Sequence, residues 1–283
     1  MKQRIITALI IAPLAIAGIF LLPLKFFMLF CAAIYLLASK EWGAFVGTKA
    51  ASVVFYTFAL LLGATLFFMP VEQLWLQGEI NPVLHNGLIL GALWWCLSLL
   101  LVISYPKTAT LWKNSKIVKA IMGLLTLLPF FWGMVVLRAI DIHHDFYFGG
   151  TLLFFVFLLV WSADTGAYFC GKTFGKHKLA PNVSPGKTIE GFVGGLSSAM
   201  LVAYLGSHIF AIPVEKLSVF YLAAFITTVV SALGDLNESI FKREAGLKDS
   251  GNLLPGHGGI LDRIDSLTAA VPVFTLLYLT WLN

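Results

Sequence analysis

The sequence predicts an all-α, polytopic integral membrane protein, and three observations carry that prediction. Of its 283 residues 59% are hydrophobic and only 12% charged, whereas about 25% of an ordinary soluble domain is charged. Apolar runs near the roughly 20 residues that cross a bilayer recur from one end of the chain to the other. Lysine and arginine collect in alternate connecting segments, the asymmetry that membrane insertion produces.

Nine runs account for the chain: 5–22, 24–39, 52–70, 87–104, 119–137, 151–170, 191–212, 217–233 and 266–282. The first, in MKQRIITALIIAPLAIAG, has signal-peptide features, with Lys2 and Arg4 before an apolar stretch and Ala15-Ile16-Ala17 as a small-residue site. An uncleaved first span accounts for the same features. The second has an uninterrupted core only from Phe26 to Ala38, so it spans if Lys25 and Lys40 snorkel outward and is otherwise re-entrant. With a cytoplasmic N-terminus, 16 of the 19 lysines and arginines lie inside, and only Lys25, Arg138 and Lys216 lie outside. The basic net charge therefore follows from topology and requires no nucleic acid. Cys31, Cys96 and Cys170 sit in or at the end of spans without a CxxC pattern, as packing residues. The chain divides into residues 1–150, with about five spans, and 151–283, with about four.

Most polar segments read as solvated. RAIDIHHDFYFGG carries His143, His144 and Asp145, but adjacent histidines in a loop are usually hydrated and not metal ligands. YPKTATLWKNSK has the basic and aromatic make-up of an interfacial helix resting on anionic lipid. Three cytoplasmic stretches resist that reading.

In VWSADTGAYFCGKTFGKHK, Asp164 falls late in an apolar span, where a carboxylate costs about 2.5–3.5 kcal/mol unless it faces protein, water or a cation. A structural helix–helix hydrogen bond is its bland alternative. Lys172, Lys176 and Lys178 follow, placed to hold an anion at the interface. In LAPNVSPGKTIEGFVGG, Gly186-Lys187-Thr188 looks like the end of a P-loop, but that motif needs a glycine where Pro181 stands. What remains is a turn at Ser184, then Lys187, Thr188 and Glu190 at a helix start whose free N–H groups favour an anion. Gly191 and Gly195 form a small-xxx-small pair for helix packing.

The third stretch is GDLNESIFKREAGLKDSGNLLPGHGGILDRID. Asp235, Glu238 and Lys242 share one helical face with Ser239 beside them, and Asp262 and Asp265 lie a turn apart at the start of the last span. Two carboxylate-bearing faces joined by a glycine-containing loop suit a hard cation, while Lys242, Arg243, Lys248 and Arg263 suit phosphate oxygens. A structural ion-pair network is the alternative. Glu244 reads as solvated, and Ser250 as an accessible loop position.

The run S-x-x-K-R, four residues, K-D, then P-x-H-G-G-x-x-D-R-x-D is carried by Ser239, Lys242, Arg243, Lys248, Asp249, Pro255, His257, Gly258, Gly259, Asp262, Arg263 and Asp265. It resembles the signature of the phosphatidate cytidylyltransferases, or CDP-diacylglycerol synthases. SADTGAY at 162–168 and SPGKTIEG at 184–191 are similar to segments of the same family. The resemblance implies transfer of CMP from CTP to phosphatidic acid, giving CDP-diacylglycerol and pyrophosphate. It implies Mg2+ as cofactor and a site on the cytoplasmic side of a bacterial inner membrane; a homodimer is compatible with it.

It further implies that Asp235, Asp262 and Asp265 hold the metal, with room for a second cation and Asp164 as a weaker candidate. Lys187, Lys242, Arg243, Lys248 and Arg263 would clamp phosphates. Ser184, Thr188, Glu190, Glu238, Ser239, Asp249, His257, Gly258 and Gly259 would shape the substrate site, Ser239 and His257 orienting phosphate or ribose. Two rivals stand beside this reading. A CTP-dependent lipid kinase would share the metal site and move the terminal phosphate. A transporter would use Asp164, but the unusual residues cluster at one face, without inverted repeats.

Overall fold

The structure, a computed structural model, describes residues 2–76 and 79–282, with side chains described from Leu9 onward. The side chains of Lys2 and Arg4 lie outside the described residues. Ten α-helices carry the fold: α1 Lys2–Leu21, α2 Leu24–Val46, α3 Thr48–Phe68, α4 Pro82–Ser104, α5 Ala109–Trp112, α6 Lys116–Ala139, α7 Phe148–Phe174, α8 Ile189–Ile209, α9 Val214–Ala245 and α10 Leu261–Leu277. A π-helical turn, Tyr278–Leu282, prolongs α10. Two antiparallel hairpins pair β1 (Trp75–Leu76) with β2 (Glu79–Ile80), and β3 (Lys178–Ala180) with β4 (Ser184–Thr188).

Among the described residues eight helices are long and apolar enough to cross a membrane, and α1 adds a shorter apolar stretch, Leu9–Leu21. Each of the nine apolar runs thus falls on a helix. The second is continuous for 23 residues and runs past Lys40 to Val46, with no re-entrant break. Several helices outlast their apolar runs because polar residues at their ends find partners inside the protein. The longest extension is in α9, whose run ends near 233 but whose helix continues to Ala245. The 150/151 division falls inside α7.

Local chemistry sets the ends. Asn81 accepts from the Val83 N–H ahead of α4, with Pro82 in the first turn, and Ser115 does the same for Val118 at α6. Gly246 stops α9 in the left-handed region, φ 68°, and the N–H groups of Gly246 and Leu247 close onto the Arg243 and Lys242 carbonyls. The core runs continuously through the bundle, with α6 at its centre and much of α6 buried. By contrast α3 leaves Val53, Tyr56, Leu60, Phe67 and Phe68 exposed, as side chains facing lipid would be.

Contacts sort the connections to two ends. Lys25 pairs with Glu72 at 2.9 Å and Lys216 Nζ donates to the Leu282 carbonyl, both at one end. At the other, Lys119 Nζ donates to the Phe45 carbonyl at 2.8 Å and Arg243 Nε to the Val183 carbonyl at 3.2 Å. Arg138 departs from its solvated reading. It lies in α6 with 0% exposure, donates to the Ile19 and Phe146 carbonyls and stacks over the Phe146 ring. A guanidinium carries five donors, so backbone oxygens can hold it without a carboxylate.

Candidate active site

The site begins where α7 and α8 come too close for side chains. A Cβ on Gly195 would lie 2.5 Å from the Ala163 carbonyl oxygen, and one on Gly166 would lie 2.2 Å from Ser198 Oγ. The small-xxx-small stripe is therefore packing, as expected. Between α7, α8 and α9 a cleft of about 500 Å³ opens, with apolar walls of Ala163, Ala167, Leu179, Phe192 and Leu196. Its polar floor is Asp164, Lys187 and Asp235, with Lys172 and Tyr168 at the margin.

The β3–β4 hairpin places Lys187 over that floor. Thr188 Oγ1 caps α8 by accepting from the Gly191 N–H at 3.1 Å. Glu190 turns back, accepting from the N–H groups of Lys176 and His177 and pairing with His177 Nδ1 at 2.6 Å. It thereby ties the α7–β3 connection to α8 and not to a substrate position. With the hairpin pinned at both ends, Lys187 Nζ reaches Asp235 Oδ2 at 2.6 Å. The Asp164 side chain makes no hydrogen bond among the described residues. Lys187 and Arg263 attract its charge and Asp235 repels it.

A second group of charges joins α9 to α10. Lys242 Nζ bridges Glu238 Oε2 at 2.5 Å and Asp262 Oδ1 at 2.8 Å. The other Asp262 oxygen, Oδ2, accepts from Gly259 N at 2.7 Å, Ser250 N at 2.9 Å and Ser250 Oγ at 3.0 Å. Gly258 has φ 81°, and a Cβ there would sit 2.5 Å from the same oxygen, so glycine is required on both counts. Asp265 accepts from its neighbour's N–H at Ser266 and lies near enough to Asp235 and Glu238 for their charges to repel. Glu238 Oε1 is buried without a partner among the described residues. Ser239 Oγ reaches Asp235 Oδ1 only at 3.4 Å.

The loop between these helices encloses a polar cavity of about 510 Å³, lined by Lys248, Asp249, Asn252, His257, Gly258 and Arg263 among others. His257 donates its backbone N–H to the Leu254 carbonyl, while its buried Nδ1 has no partner among the described residues. Arg263 lines this cavity, and its charge is felt at Asp164 of the first. Ser184 lies in β4. Arg243 is held on the hairpin side by its bond to Val183, away from both polar floors.

Two expectations need correction, and one residue was missed. Glu244 is not simply solvated, because Tyr105 donates its hydroxyl to Glu244 Oε1 at 2.9 Å. Burial first, then this carboxylate, push the Tyr105 hydroxyl up to about 12, so it stays protonated and donates. Ser250 is not accessible but 3% exposed, held between Asp262 and Glu41. Glu41, on α2, accepts from Ser250 Oγ, Ile260 N and Leu261 N at 2.8–2.9 Å. The only sequence signal for it was an acid placed just past an apolar run, beside a lysine assumed to snorkel. In the 141–145 loop, His144 pairs with Asp141 at 2.8 Å and both are exposed.

Among the described residues no three His, Cys, Asp or Glu side chains form a ready-made metal cage. The donor chemistry nonetheless fits Mg2+, which takes oxygen ligands only and is commonly held by one or two carboxylates plus substrate phosphates and water. Asp235 on α9 and Asp265 on α10 lie close enough for their charges to repel, as carboxylates that share a cation would. Asp262, grouped with them on spacing, has both oxygens committed to Lys242, Ser250 and Gly259.

Comparison with known proteins gives the same picture over the whole chain. The model of the cytidylyltransferase family matches residues 2–281. The phosphatidate cytidylyltransferase of Haemophilus influenzae is 42% identical over 98% of this chain and 98% of its own length. That of Pseudomonas aeruginosa is 42% identical over 98% of this chain and 96% of its own. The Bacillus subtilis phosphatidate cytidylyltransferase is 42% identical over 151 residues, 53% of this chain and 56% of that protein.

Proposed function

The chain belongs to the cytidylyltransferase family, and from that premise and the two cavities we propose how its residues divide the work. The reaction is transfer of a cytidylyl group from CTP to phosphatidic acid, forming CDP-diacylglycerol and pyrophosphate in phospholipid synthesis. The observation that carries the division is a pair of cavities of unlike character, an apolar-walled cleft holding Asp164 and a largely polar loop cavity lined by Arg263, whose charge is felt at Asp164. A diacylglycerol body suits the first and a nucleoside triphosphate the second. Their phosphates then meet where Lys187, Lys248 and Arg263 converge from the two cavities. Neither substrate is a nucleic acid.

The attacking atom is a lipid phosphate oxygen, and the bond broken joins the α-phosphorus of CTP to the oxygen bridging to the β-phosphorus. A phosphomonoester has a second pKa of about 6, so this nucleophile is already largely ionised near neutrality and needs no strong base. The difficulty is bringing two polyanions together. Lys187 and Arg263 neutralise the reacting phosphates, Lys248 holds the departing pyrophosphate end, and Thr188 and Ser184 fix the hairpin that aims Lys187. Asp235 and Asp265 would hold Mg2+, which when bound supplies charge neutralisation at the phosphates. Asp249 and His257 line the nucleotide cavity, where the free Nδ1 of His257 is a ready hydrogen-bonding partner for ribose or phosphate.

We place this site on the cytoplasmic side of a bacterial inner membrane, on the strength of the lysine and arginine asymmetry and the cytosolic origin of CTP. All the residues named come from one chain, so a homodimer would carry two complete sites. The test is purified protein in detergent with phosphatidic acid and labelled CTP. Label on the α-phosphate should enter the lipid and label on the γ-phosphate should leave as pyrophosphate. Transfer of γ-label to lipid would mean a kinase and overturn the reading.

A further inference from the structure

Glu41 lies some 200 residues before the loop it touches and outside every motif of the site. We propose that Glu41 is a positioning residue for cytidylyl transfer, fixing the glycine-rich loop and the first turn of α10 and, through Ser250, the Asp262–Lys242 pair. The proposal rests on the active-site reading above.

Its carboxylate is 9% exposed at residue level and serves three donors. Oε1 accepts from Ile260 N at 2.9 Å, and Oε2 from Leu261 N at 2.8 Å and Ser250 Oγ at 2.9 Å. Two of these are first-turn N–H groups of α10, which have no partner inside the helix. Ser250 Oγ stands between Glu41 Oε2 and Asp262 Oδ2, and its single proton serves one at a time. The Asp262 N–H also points at this hydroxyl, at 3.3 Å. A displacement of Glu41 is therefore felt at Asp262 through one atom.

The loop is shaped around this group. A Cβ on Gly259 would lie 2.3 Å from Glu41 Oε2, and one on Gly251 would lie 2.6 Å from Oε1. Two glycines thus leave the room the carboxylate fills, which gives Gly259 a reason beyond turn geometry. Glu41 is itself held firmly. Its neighbour Trp42 donates Nε1 to the Lys119 carbonyl at 3.0 Å and packs on Phe241 of α9 at 4.7 Å between ring centroids. The N-terminal half of the chain thereby acts on a site built from the C-terminal half.

Glu41→Gln and Glu41→Asp separate positioning from simple structural support. Glutamine puts an N–H where at least one of the three donors must face it, whereas aspartate keeps two acceptor oxygens on a shorter stem. Expected for Glu41→Gln in the full-length protein is a fall in kcat of roughly 10- to 100-fold, the usual cost of losing an orienting partner. KM for phosphatidic acid should stay unchanged, because none of the residues Glu41 holds lines the cleft, and Glu41→Asp should recover part of the loss. Adding Ser250→Ala should cost less than the product of the two single losses, since the two changes share the Ser250 hydroxyl while Glu41 separately holds Ile260 N and Leu261 N. Unchanged kcat in Glu41→Gln, or losses that multiply in the double variant, would overturn the proposal. Should Glu41→Gln not fold, Ser250→Ala alone decides: lowered kcat at constant KM for the lipid supports it and normal kcat overturns it. Wild-type protein unable to make CDP-lipid would instead overturn the functional reading.

Discussion

Replacing Asp262 by Asn puts a donor into a place where four donors already converge. Lys242 Nζ meets Oδ1, while Ser250 N, Ser250 Oγ and Gly259 N meet Oδ2. The amide's best orientation keeps its oxygen toward the three loop donors, leaving its NH2 against the Lys242 ammonium. Lys242 retains Glu238, so the loss is one charge-assisted hydrogen bond, about 2–3 kcal/mol, short of the 3–5 kcal/mol of a fully broken buried pair. Expressed wholly in the transition state, that is roughly a 30- to 150-fold fall in kcat. The same figure bounds any loss of stability. The assay is folded yield and thermal unfolding in detergent, followed by CDP-lipid formation from α-labelled CTP. Normal turnover at a normal unfolding temperature would refute the reasoning, since neither the loop nor the ion pair could then depend on this carboxylate.

Lys187→Met removes the cation over the cleft and strands Asp235, so kcat/KM should fall by about 100-fold or more, as when a transition-state donor is deleted; steady-state kinetics with phosphatidic acid micelles reads it. Tyr105→Phe removes a bond worth about 1 kcal/mol away from both cavities, and Glu244→Gln only weakens it because the amide oxygen still accepts; each should keep turnover within about threefold. Chelation should abolish turnover and added Mg2+ restore it, while the unfolding temperature of the substrate-free protein stays constant, because among the described residues no three acids form a cage for the ion. In a cysteine-free background, Asn252→Cys should react only with membrane-permeant reagents and Glu79→Cys also with impermeant ones; the reverse would invert the topology.

Apolar runs gave the helices because a bilayer demands unbroken hydrogen-bonded segments, and that demand is written in composition. The same rule misplaced their ends. Helix α9 continues through Asp235, Glu238 and Lys242 because Lys187 pairs with Asp235 and Lys242 bridges Glu238 and Asp262, which no hydropathy window registers. Lys187, Asp235, Lys242 and Asp262 were legible as site residues since each is a charge out of place. Glu41 and Ser250 were not, because the bonds between them span 209 residues and an isolated acid beside Lys40 looks solvated. Glu244 failed for the same reason, its partner Tyr105 lying 139 residues away. Local pattern reveals which residues are expensive to bury, and only the fold reveals what buries them.

The two lysines of the site illustrate how burial divides one chemistry into two duties. Lys187 and Asp235 are 27% and 31% exposed as side chains, in reach of water, where an ion pair contributes about 0–1 kcal/mol. An incoming phosphate can exchange for that carboxylate at little cost, freeing Asp235 for a cation in the same step. Lys242 is 15% exposed and its partners Glu238 and Asp262 only 3% and 4%. Drawing Lys242 away would leave two buried carboxylates uncompensated, a cost of several kcal/mol, so no substrate is placed to do it. Within the proposed division of work, the lysine on α9 is therefore the strut that sets α9 against α10, and the lysine on the hairpin is the clamp. A cytidylyl transfer between two anions needs both, because the movable cation can meet a phosphate in register only if the helices presenting Asp235 and Asp265 do not shift when it leaves.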